Sequence, residues 1–468
     1  MPNMHPEQNP MPEQPPDIRR RNFEEVALGY SAAQALDEAH RCLQCPRKPC
    51  TEGCPVGVDI PGFIQCIQEN AFAKAYQILR ETNSLPAICG RVCPQETQCE
   101  QRCVRRAKGQ SVAIGRLERF AADHAPEKGY AQDAAAPAGG GAAGMKTAVI
   151  GSGPASLACA GDLRKAGCDV TVYEALHAPG GVLRYGIPEF RLPKTVVEHE
   201  IGALIKMGVR FVTNFVTGKT LTVNELMREE GYRAVFIGVG AGLPVFLQIP
   251  GENACGVYSA NEFLTRINLM KGYLFPQTAT PVSMGRRIAV VGGGNVAMDA
   301  ARCAVRLNAD EVSVIYRRSL DEMPARLEEI RHAEEEGVLF RYLSNPVEIL
   351  ADSEGSVTGI RLVKMELGAP DASGRRRPAA VPGSEFTLNA DTVIIAIGNS
   401  PNPLIGRSTE GLMLRPDGGI VADETTCATS LPGVFAGGDA VSGAATVILA
   451  MGAGKRAAEA MVRYLQGE

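Results

Sequence analysis

Residues 146–156 read Lys-Thr-Ala-Val-Ile-Gly-Ser-Gly-Pro-Ala-Ser and lead into a helix-forming stretch that ends near Lys165. A short apolar run, a glycine-rich turn and a helix in this order predict the start of a dinucleotide-binding βαβ unit. We expect Gly151 to make the tight turn and Gly153 to let the backbone approach a pyrophosphate at the helix N-terminus. The same phosphate site is expected to include Pro154 and Ala155.

An acidic residue lies at the end of the second predicted strand, where a dinucleotide-binding unit uses one to bind ribose. Glu174 ends the next apolar run, Val170–Tyr173, about 20 residues after the turn, where a carboxylate binds a ribose hydroxyl. Gly181 belongs to a Gly-Gly pair that follows this strand, and we expect it to line the same site. The agreement of strand, turn, helix and acidic strand end favours a true dinucleotide site over a chance glycine pattern.

A second unit of the same kind begins with the apolar run Arg287–Val291. It continues into a Gly-Gly-Gly turn and a helix that ends near Leu307. Two such units in one chain predict two dinucleotide-binding folds. The residues expected to hold the second dinucleotide are Gly292, Gly294, Asn295 and Val296.

The second unit has Arg317 and Arg318 after its next strand, Glu311–Tyr316, in place of an acidic residue. A carboxylate there would repel a 2′-phosphate, whereas guanidinium groups bind phosphate oxygens in pairs. The alternative is that both arginines only solvate a strand end. The pattern favours NADPH over NADH.

The C-terminal region indicates which unit binds FAD. A short strand runs into Gly438 and Asp439, and a helix opens at Thr446 and Val447. This resembles the second FAD fingerprint of flavoprotein reductases with two dinucleotide domains. In that family the aspartate meets the ribityl chain and the helix N-terminus faces the pyrimidine end of the flavin, where its dipole favours the reduced anion.

Two further apolar segments, 234–240 and 391–398, resemble the crossover strands between the two domains of the same reductases. The predicted fold class is α/β, with two Rossmann-like domains of which the FAD domain is interrupted by the NADP domain. An α-helical iron–sulfur domain precedes them. The predicted boundaries are 1–125 for the helical domain, 126–145 for an Ala/Gly/Pro linker, 146–240 for the first FAD-binding segment, 241–398 for the NADP-binding domain and 399–468 for the second FAD-binding segment.

Composition excludes several classes of protein. The chain has 468 residues with 45% hydrophobic residues, 21% charged residues and a net charge of −4, so it is globular and has no basic excess for nucleic acid. No apolar run approaches the roughly 20 residues that span a bilayer, and no apolar leader is present. We expect a soluble cytoplasmic protein that binds neither nucleic acid nor membrane.

The 14 cysteines are concentrated near the N-terminus, with nine between Cys42 and Cys103 and five scattered. The scattered ones are expected to be small buried residues. The run 42–54 has the spacing Cys-x2-Cys-x4-Cys-x3-Cys-Pro, and the run 89–103 has Cys-x3-Cys-Pro, then Cys99 and a final cysteine. The Cys-Pro ending resembles ferredoxin runs. Two Cys₄ zinc sites are the alternative, but a flavin reductase favours a redox metal.

The segment after the Glu174 strand has no cysteine pair of the kind disulfide reductases carry beside the flavin. Electrons must therefore leave by another route, and the cysteine-rich region offers one. No side-chain acid or base is required for hydride transfer, since the cofactors carry the chemistry. We therefore predict no catalytic side chain.

At this point the resemblance is specific and covers residues 20–468. The chain looks like the small (β) subunit of NADPH-dependent glutamate synthase, a family close to the large subunit of the bifurcating NADH-dependent ferredoxin:NADP oxidoreductase and to the amino-terminal region of dihydropyrimidine dehydrogenase. The segments that carry the resemblance are 85–94, 113–118, 322–325 and 445–452.

The resemblance implies two 4Fe–4S clusters with interleaved ligands. One cluster takes Cys42, Cys45, Cys50 and Cys103. The other takes Cys54, Cys93, Cys99 and Glu118. Cys89 is then left over as a structural thiol, although it lies within the motif. By the residues alone, a solvated helix carboxylate is the favoured interpretation of Glu118, and the resemblance reverses it.

The resemblance also implies the function. The chain takes hydride from NADPH onto FAD and passes single electrons through the clusters to an FMN-bearing glutamate synthase large subunit. The alternative is that FAD bifurcates the electron pair, with a ferredoxin-reductase-like small subunit as partner. A non-catalytic electron-transfer scaffold is the third possibility, and two intact nucleotide fingerprints argue against it.

Overall fold

A computed structural model describes residues 3–124, 142–370 and 374–468. The predicted linker 126–145 lies outside the described residues except for its last four positions. Residues 3–124, which we call the cysteine unit, are helical. Their helices are α1 (Pro16–Arg19), α2 (Ala32–Ala39), α3 (Pro49–Glu52), α4 (Ile60–Gln68), α5 (Phe72–Thr82), α6 (Pro86–Val92) and α7 (Ile114–Asp123).

Local signals explain where these helices begin. Ser31 caps α2 in a capping box with Gln34, and Asp59 caps α4 by accepting from the Gly62 amide. Gly90 in α6 lies so close to α7 that an added Cβ would be 2.6 Å from the backbone nitrogen of Arg119. This close approach of α6 and α7 brings residues of the second cysteine run beside residues of α7.

The first nucleotide unit contains a five-stranded parallel sheet. Its elements before the crossover are β1 (Lys146–Ile150), α8 (Pro154–Lys165), β2 (Asp169–Tyr173), α9 (Val182–Tyr185), α10 (Lys194–Lys206), β3 (Arg210–Val212), α11 (Val223–Arg228) and β4 (Ala234–Ile237). A two-residue strand β5 (Leu243–Pro244) follows.

The second nucleotide unit contains another five-stranded parallel sheet and an antiparallel insert. Its elements are β6 (Val257–Ser259), α12 (Ala260–Asn268), β7 (Arg287–Val291), α13 (Asn295–Arg306), β8 (Glu311–Ile315), α14 (Leu327–Glu335), β9 (Leu339–Arg341), β10 (Ser344–Ala351), β11 (Val357–Pro370), β12 (Arg376–Ala380), β13 (Phe386–Asn389) and β14 (Thr392–Ile395). The parallel strand order is β6-β14-β7-β8-β9.

The chain then returns to the first unit. The returning elements are β15 (Asn399–Ser400), α15 (Leu404–Ser408), β16 (Val434–Ala436), α16 (Asp439–Ser442) and α17 (Val447–Gln466). Strand β16 completes the first sheet in the order β16-β4-β1-β2-β3, and β15 pairs with β5 where the chain crosses between units. The predicted fold class is confirmed.

The cysteine unit is not packed as a separate body. One continuous core joins its helices to the first nucleotide unit and includes Ile64, Leu157 and Met451. The N-terminal segment extends further, to the second unit, where Glu13 pairs with His332 at 3.1 Å and Arg19 pairs with Glu336 at 3.0 Å. Packing therefore fixes the cysteines relative to the nucleotide sites.

None of the helices in the described ranges has the length and apolar character needed to cross a membrane.

Candidate functional site

The first glycine turn has the geometry of a phosphate cradle. Gly151 has φ +89°, and a Cβ there would lie 2.6 Å from the Gly238 carbonyl oxygen at the end of β4. Gly181 has φ +53°, and a Cβ added there would lie 2.8 Å from the Gly153 Cα. Only glycines allow these backbones to approach so closely. The N-terminus of α8 is thereby left open to an anion.

Glu174 is held at the end of β2 by three donors. The Ser152 amide donates to its Oε2 at 3.0 Å, the Ser152 hydroxyl donates to the same oxygen, and the Leu176 amide donates to Oε1 at 2.8 Å. The carboxylate is buried, and it retains lone pairs for ribose hydroxyls. The sequence pattern did not reveal Ser152 as its partner.

The C-terminal turn packs onto the first one. A Cβ on Gly438, which has φ +67°, would lie 3.0 Å from the Ala155 Cβ. Burial raises the pKa of Asp439 to about 6, although the Ala445 amide donates to it. Thr446 caps α17 and Val447 is its first residue. Residues predicted from two distant segments therefore meet at one site.

Tyr185 was missed by the sequence analysis. Burial raises its pKa to about 12, and the charges of Glu174 and Asp439 add to the effect. The phenol therefore lies near both predicted FAD contacts. Its only sequence signal was its place shortly after the Gly-Gly pair.

The second glycine turn has the same architecture. Gly292 has φ +144°, and a Cβ added there would lie 2.2 Å from the Ala396 carbonyl oxygen. Gly294 caps α13, and Asn295 begins the helix while its Oδ1 accepts from the Arg326 amide at 3.0 Å. Val296 in the same first turn is 37% exposed. The turn fits a second pyrophosphate.

The two arginines after β8 have different environments. Arg317 is exposed, whereas Arg318 is buried and its Nε donates to the Arg376 carbonyl at 2.8 Å. The Arg376 side chain bonds the Ser319 hydroxyl at 3.3 Å and pairs with Glu322 at 2.5 Å. The antiparallel insert thus reaches the predicted 2′-phosphate position, which the sequence analysis did not foresee.

The first predicted thiol set lines one cavity, which we call the outer site. Its cysteines come from α3, from the loop before it and from the end of the second cysteine run: Cys42, Cys45, Cys50 and Cys103. Burial and the neighbouring thiols raise the pKa of Cys42 to about 11 and that of Cys50 to about 12. These four cysteines would hold an iron–sulfur cluster, whose irons would supply the positive charge that four thiolates require.

The second predicted set lines another cavity, the inner site, with Cys54, Cys93, Cys99 and Glu118 around it. Burial raises the pKa of Glu118 to about 8, while Asn83 donates to its Oε1 at 2.7 Å. Cys89 lines the inner site as well, fully buried, and its thiol lies 3.6 Å from both the Asn83 Oδ1 and the Met451 sulfur.

The sulfur atoms of the predicted ligand sets are spaced more widely than the ligands of a single zinc ion. A tetrahedral zinc with bonds of ~2.3 Å holds its sulfurs about 3.8 Å apart. Within the described ranges, no three of the thiols have sulfur atoms within 4.8 Å of one another. A multi-iron core binds each thiolate through a different iron and needs this wider spacing. The donor sets fit 4Fe–4S clusters.

Among the described residues, the ligand atoms of Glu13, Glu328 and His332 lie close enough together to hold a single metal ion. Arg331 pairs with Glu13 at 2.8 Å, and Arg326 pairs with Glu328 at 3.2 Å. Because guanidinium groups already neutralise both carboxylates, this group ties the N-terminal segment to α14 and is not a metal site.

Helix α17 connects the C-terminal turn to the inner site. Its first turn carries Ile448, which lines the inner site, and one turn later Gly452 packs so tightly that a Cβ would lie 3.0 Å from the Pro55 carbonyl. Ile60 and Ile114 line both the inner and the outer site. The inner site is thus between the predicted flavin position and the outer site.

Comparison with known proteins identifies the family and the cofactors. Residues 19–130 match the family described as dihydropyrimidine dehydrogenase domain II, 4Fe-4S cluster, and residues 145–455 match pyridine nucleotide-disulphide oxidoreductase. The chain is 37% identical to the glutamate synthase [NADPH] small chain of Escherichia coli (strain K12), covering 97% of this chain and 96% of that protein.

Two further comparisons extend the picture. The chain is 41% identical over 89% of its length to the NADP(+)-dependent formate dehydrogenase subunit beta of Moorella thermoacetica, of which it covers 60%. Mycobacterium tuberculosis FprA in complex with NADPH matches with a TM-score of 0.58 and 22% identity, covering 69% of this chain and 85% of that one. This last likeness shows the fold alone.

The fold and the donor sets define a flavin-dependent pyridine-nucleotide reductase with an iron–sulfur domain. The chain belongs to the family of the NADPH-dependent glutamate synthase small chains. It is an oxidoreductase that uses NADPH, FAD and 4Fe–4S clusters. The family, the fold class and the cofactors expected from the sequence are confirmed, while the number of clusters and the individual ligands stay predictions.

Proposed function

We propose that the chain passes electrons from NADPH to FAD, then to a cluster in the inner site, then to a cluster in the outer site, and from there to a partner subunit. The observation that carries this order is α17, which begins at the predicted flavin position and whose Ile448 lines the inner site. FAD, when bound, accepts a hydride and releases its electrons singly.

The roles of the individual residues follow from their positions. The first unit holds FAD through its glycine turn, the Glu174 carboxylate and Asp439, with the N-terminus of α17 aimed at the flavin. The second unit holds NADPH through the Gly292–Val296 turn and the arginines after β8. Ile60 and Ile114 fill the space between the two clusters and exclude water from it.

The outer site provides the exit. Leu43 and Val104 line it and are 39% and 46% exposed. The loops around it also expose the basic residues Arg47, Arg102, Arg106 and Lys108. On a chain with a net charge of −4, this basic surface with an apolar centre suits an acidic electron acceptor.

We propose a partner subunit of that character. The name of the E. coli relative, a small chain of glutamate synthase, supports a glutamate synthase large subunit as this partner. The name of the Moorella relative favours a second candidate, in which a chain of this kind reduces NADP⁺ with electrons from a dehydrogenase subunit. The bifurcating alternative and the cytoplasmic location stay predictions.

Metal and flavin analysis tests the proposed route. We expect about eight irons and eight acid-labile sulfides per chain, with one FAD and no FMN, because two four-donor sites each suit a four-iron cluster. Stoichiometric zinc without labile sulfide would refute it.

Cysteine variants test the order. In Cys50→Ser, NADPH should still reduce FAD and the inner cluster, whereas in Cys54→Ser it should reduce FAD alone. Cys168→Ser, a buried thiol of the first nucleotide unit, is the matched control. Reduction of the outer cluster at the normal rate in Cys54→Ser would reverse the proposed sequence.

A further inference from the structure

Asn83 occupies a central place beside the inner site. It follows α5 directly, its side chain is fully buried, and it contacts residues of α6 and α7. Its Nδ2 donates to the Glu118 Oε1 at 2.7 Å, and its Oδ1 accepts from the Leu85 amide at 2.9 Å. The Cys89 thiol also lies 3.6 Å from the Oδ1.

The Leu85 amide fixes which way the Asn83 side chain points. A backbone N–H can only donate, so the atom that faces it must be the carbonyl oxygen of the side-chain amide. The amino group of the side-chain amide consequently points toward Glu118, whose Oε1 accepts its hydrogen bond. The same oxygen that faces Leu85 is an acceptor for the Cys89 S–H.

We propose that Asn83 is the positioning residue that makes Glu118 a ligand of the inner cluster. This rests on the proposed function together with the predicted ligand set of the inner site, in which Glu118 is the fourth ligand. With Oε1 engaged by Asn83, Oε2 would be the oxygen that holds the cluster. The side-chain amide of Asn83 donates to Glu118 and accepts from Cys89. The hydrogen bond to Asn83 thus orients the carboxyl group of Glu118, and the Cys89 thiol is engaged by the other end of the same amide.

Asn83 also makes an Asx-type turn through Leu85, which is a structural role that a test must separate. Asn83→Asp has nearly the same shape, keeps the acceptor for the Leu85 amide, and replaces the donor toward Glu118 by an oxygen. Asn83→Ser keeps a weaker turn acceptor and loses the donor without adding charge. Gln98→Glu adds a carboxylate elsewhere on the wall of the inner site and controls for charge.

The readouts are the EPR spectrum and the midpoint potential of each cluster in the holoenzyme. We expect Asn83→Asp and Asn83→Ser to alter the spectrum of the inner cluster only. We expect Asn83→Asp to lower its potential by more than Gln98→Glu does, with NADPH still reducing FAD at the wild-type rate. Thermal unfolding near the wild-type temperature would show that the turn survives.

The inference is overturned if both Asn83 variants leave the inner-cluster spectrum and potential unchanged, or if Gln98→Glu matches Asn83→Asp. Glu118→Ala separates this failure from that of the ligand assignment. If Glu118→Ala changes the inner cluster and the Asn83 variants do not, only the role of Asn83 is wrong. If Glu118→Ala changes nothing while Cys89→Ser loses a cluster, the assignment of Glu118 itself is wrong.

Discussion

The two nucleotide-binding units have the same parallel five-stranded sheet, yet different segments of the chain complete them. In the first unit the outer strand β16 comes from the C-terminal region, after the whole second unit has been inserted. In the second unit the corresponding strand β6 precedes the glycine turn. The two sheets therefore share the arrangement of their parallel strands but differ in the chain segment that supplies the outer strand.

This difference indicates how one fold selects two ligands. Both turns offer backbone amides and a helix N-terminus to a pyrophosphate, which FAD and NADPH share. The residues around each glycine turn therefore determine whether the unit binds FAD or NADPH. The first turn is packed by Gly181 and Gly438 and faces Glu174. The second lies near the arginine pair Arg317 and Arg318 and the antiparallel insert. Four predictions test this division.

The largest effects are expected from valine in the glycine turns. Gly151→Val and Gly292→Val each force a side chain into a positive-φ backbone that costs about 1–3 kcal/mol, besides a collision with a carbonyl oxygen. Gly151→Val should yield protein without FAD. Gly292→Val should keep FAD but lose its reduction by NADPH.

Flavin content and stopped-flow reduction measure both outcomes. Gly202→Ala, a helical glycine with no atom within 4 Å of an added Cβ, is the control. Loss of FAD in Gly292→Val but not in Gly151→Val would reverse the assignment of the two units.

The next largest effect is expected from Glu174→Ala. The change removes the ribose acceptor and leaves the Ser152 and Leu176 donors without their partner. A hydrogen bond to a charged group contributes roughly 1.5–3 kcal/mol, so FAD affinity should fall about ten- to a hundredfold. Reconstitution of the apoprotein with FAD gives the dissociation constant, and Glu198→Ala, on an exposed carboxylate of α10, serves for comparison. An unchanged constant would show that Glu174 only caps the loop.

Arg317→Ala and Arg318→Ala should weaken NADPH binding by about ten- to a hundredfold each, since each removes a charged hydrogen bond to the 2′-phosphate. The change should fall on KM, because the phosphate is remote from the reacting carbon. NADH use should stay unchanged or improve. Arg341→Ala, on the exposed end of the neighbouring strand β9, is the control.

The two arginine variants should also differ in stability. Arg318 bonds the Arg376 carbonyl, so Arg318→Ala should unfold at a lower temperature than Arg317→Ala. If both variants and the double variant keep the wild-type preference for NADPH, the arginines do not bind the phosphate.

The smallest effect concerns pH and Asp439. Burial raises the pKa of Asp439 from 3.8 to about 6 in the folded chain, so folding favours its protonated form. The stability that this group contributes is present below about pH 4 and is lost as the pH rises through 6. FAD-free Asp439→Asn should therefore gain thermal stability over the wild type as the pH rises from about 5 to about 7.5. A constant difference across this range would contradict the raised pKa.

Much of this organisation could be predicted because its signals are local. The glycine turns, the acidic or basic residue after the second strand, and the cysteine runs all lie within short stretches, where backbone geometry and spacing limit what can form. The three-dimensional environment of each residue was less predictable. The contrast between exposed Arg317 and buried Arg318, and the approach of β12, depend on an insert with no sequence motif.

The sequence by itself determined the two dinucleotide folds, the FAD and NADPH preferences and a cysteine-rich redox region, because each follows from residue types at fixed short spacings. The family resemblance implied that Glu118 belongs with Cys54, Cys93 and Cys99, and the tertiary structure places all four around one cavity. Only the tertiary structure decided that the Asn83 amide contacts both Glu118 and Cys89. It also decided that the first turn of α17, which follows the C-terminal turn, lies beside the inner site. The physical reason is that these contacts join residues tens to hundreds of positions apart, and close packing of helices around a shared core brings them together.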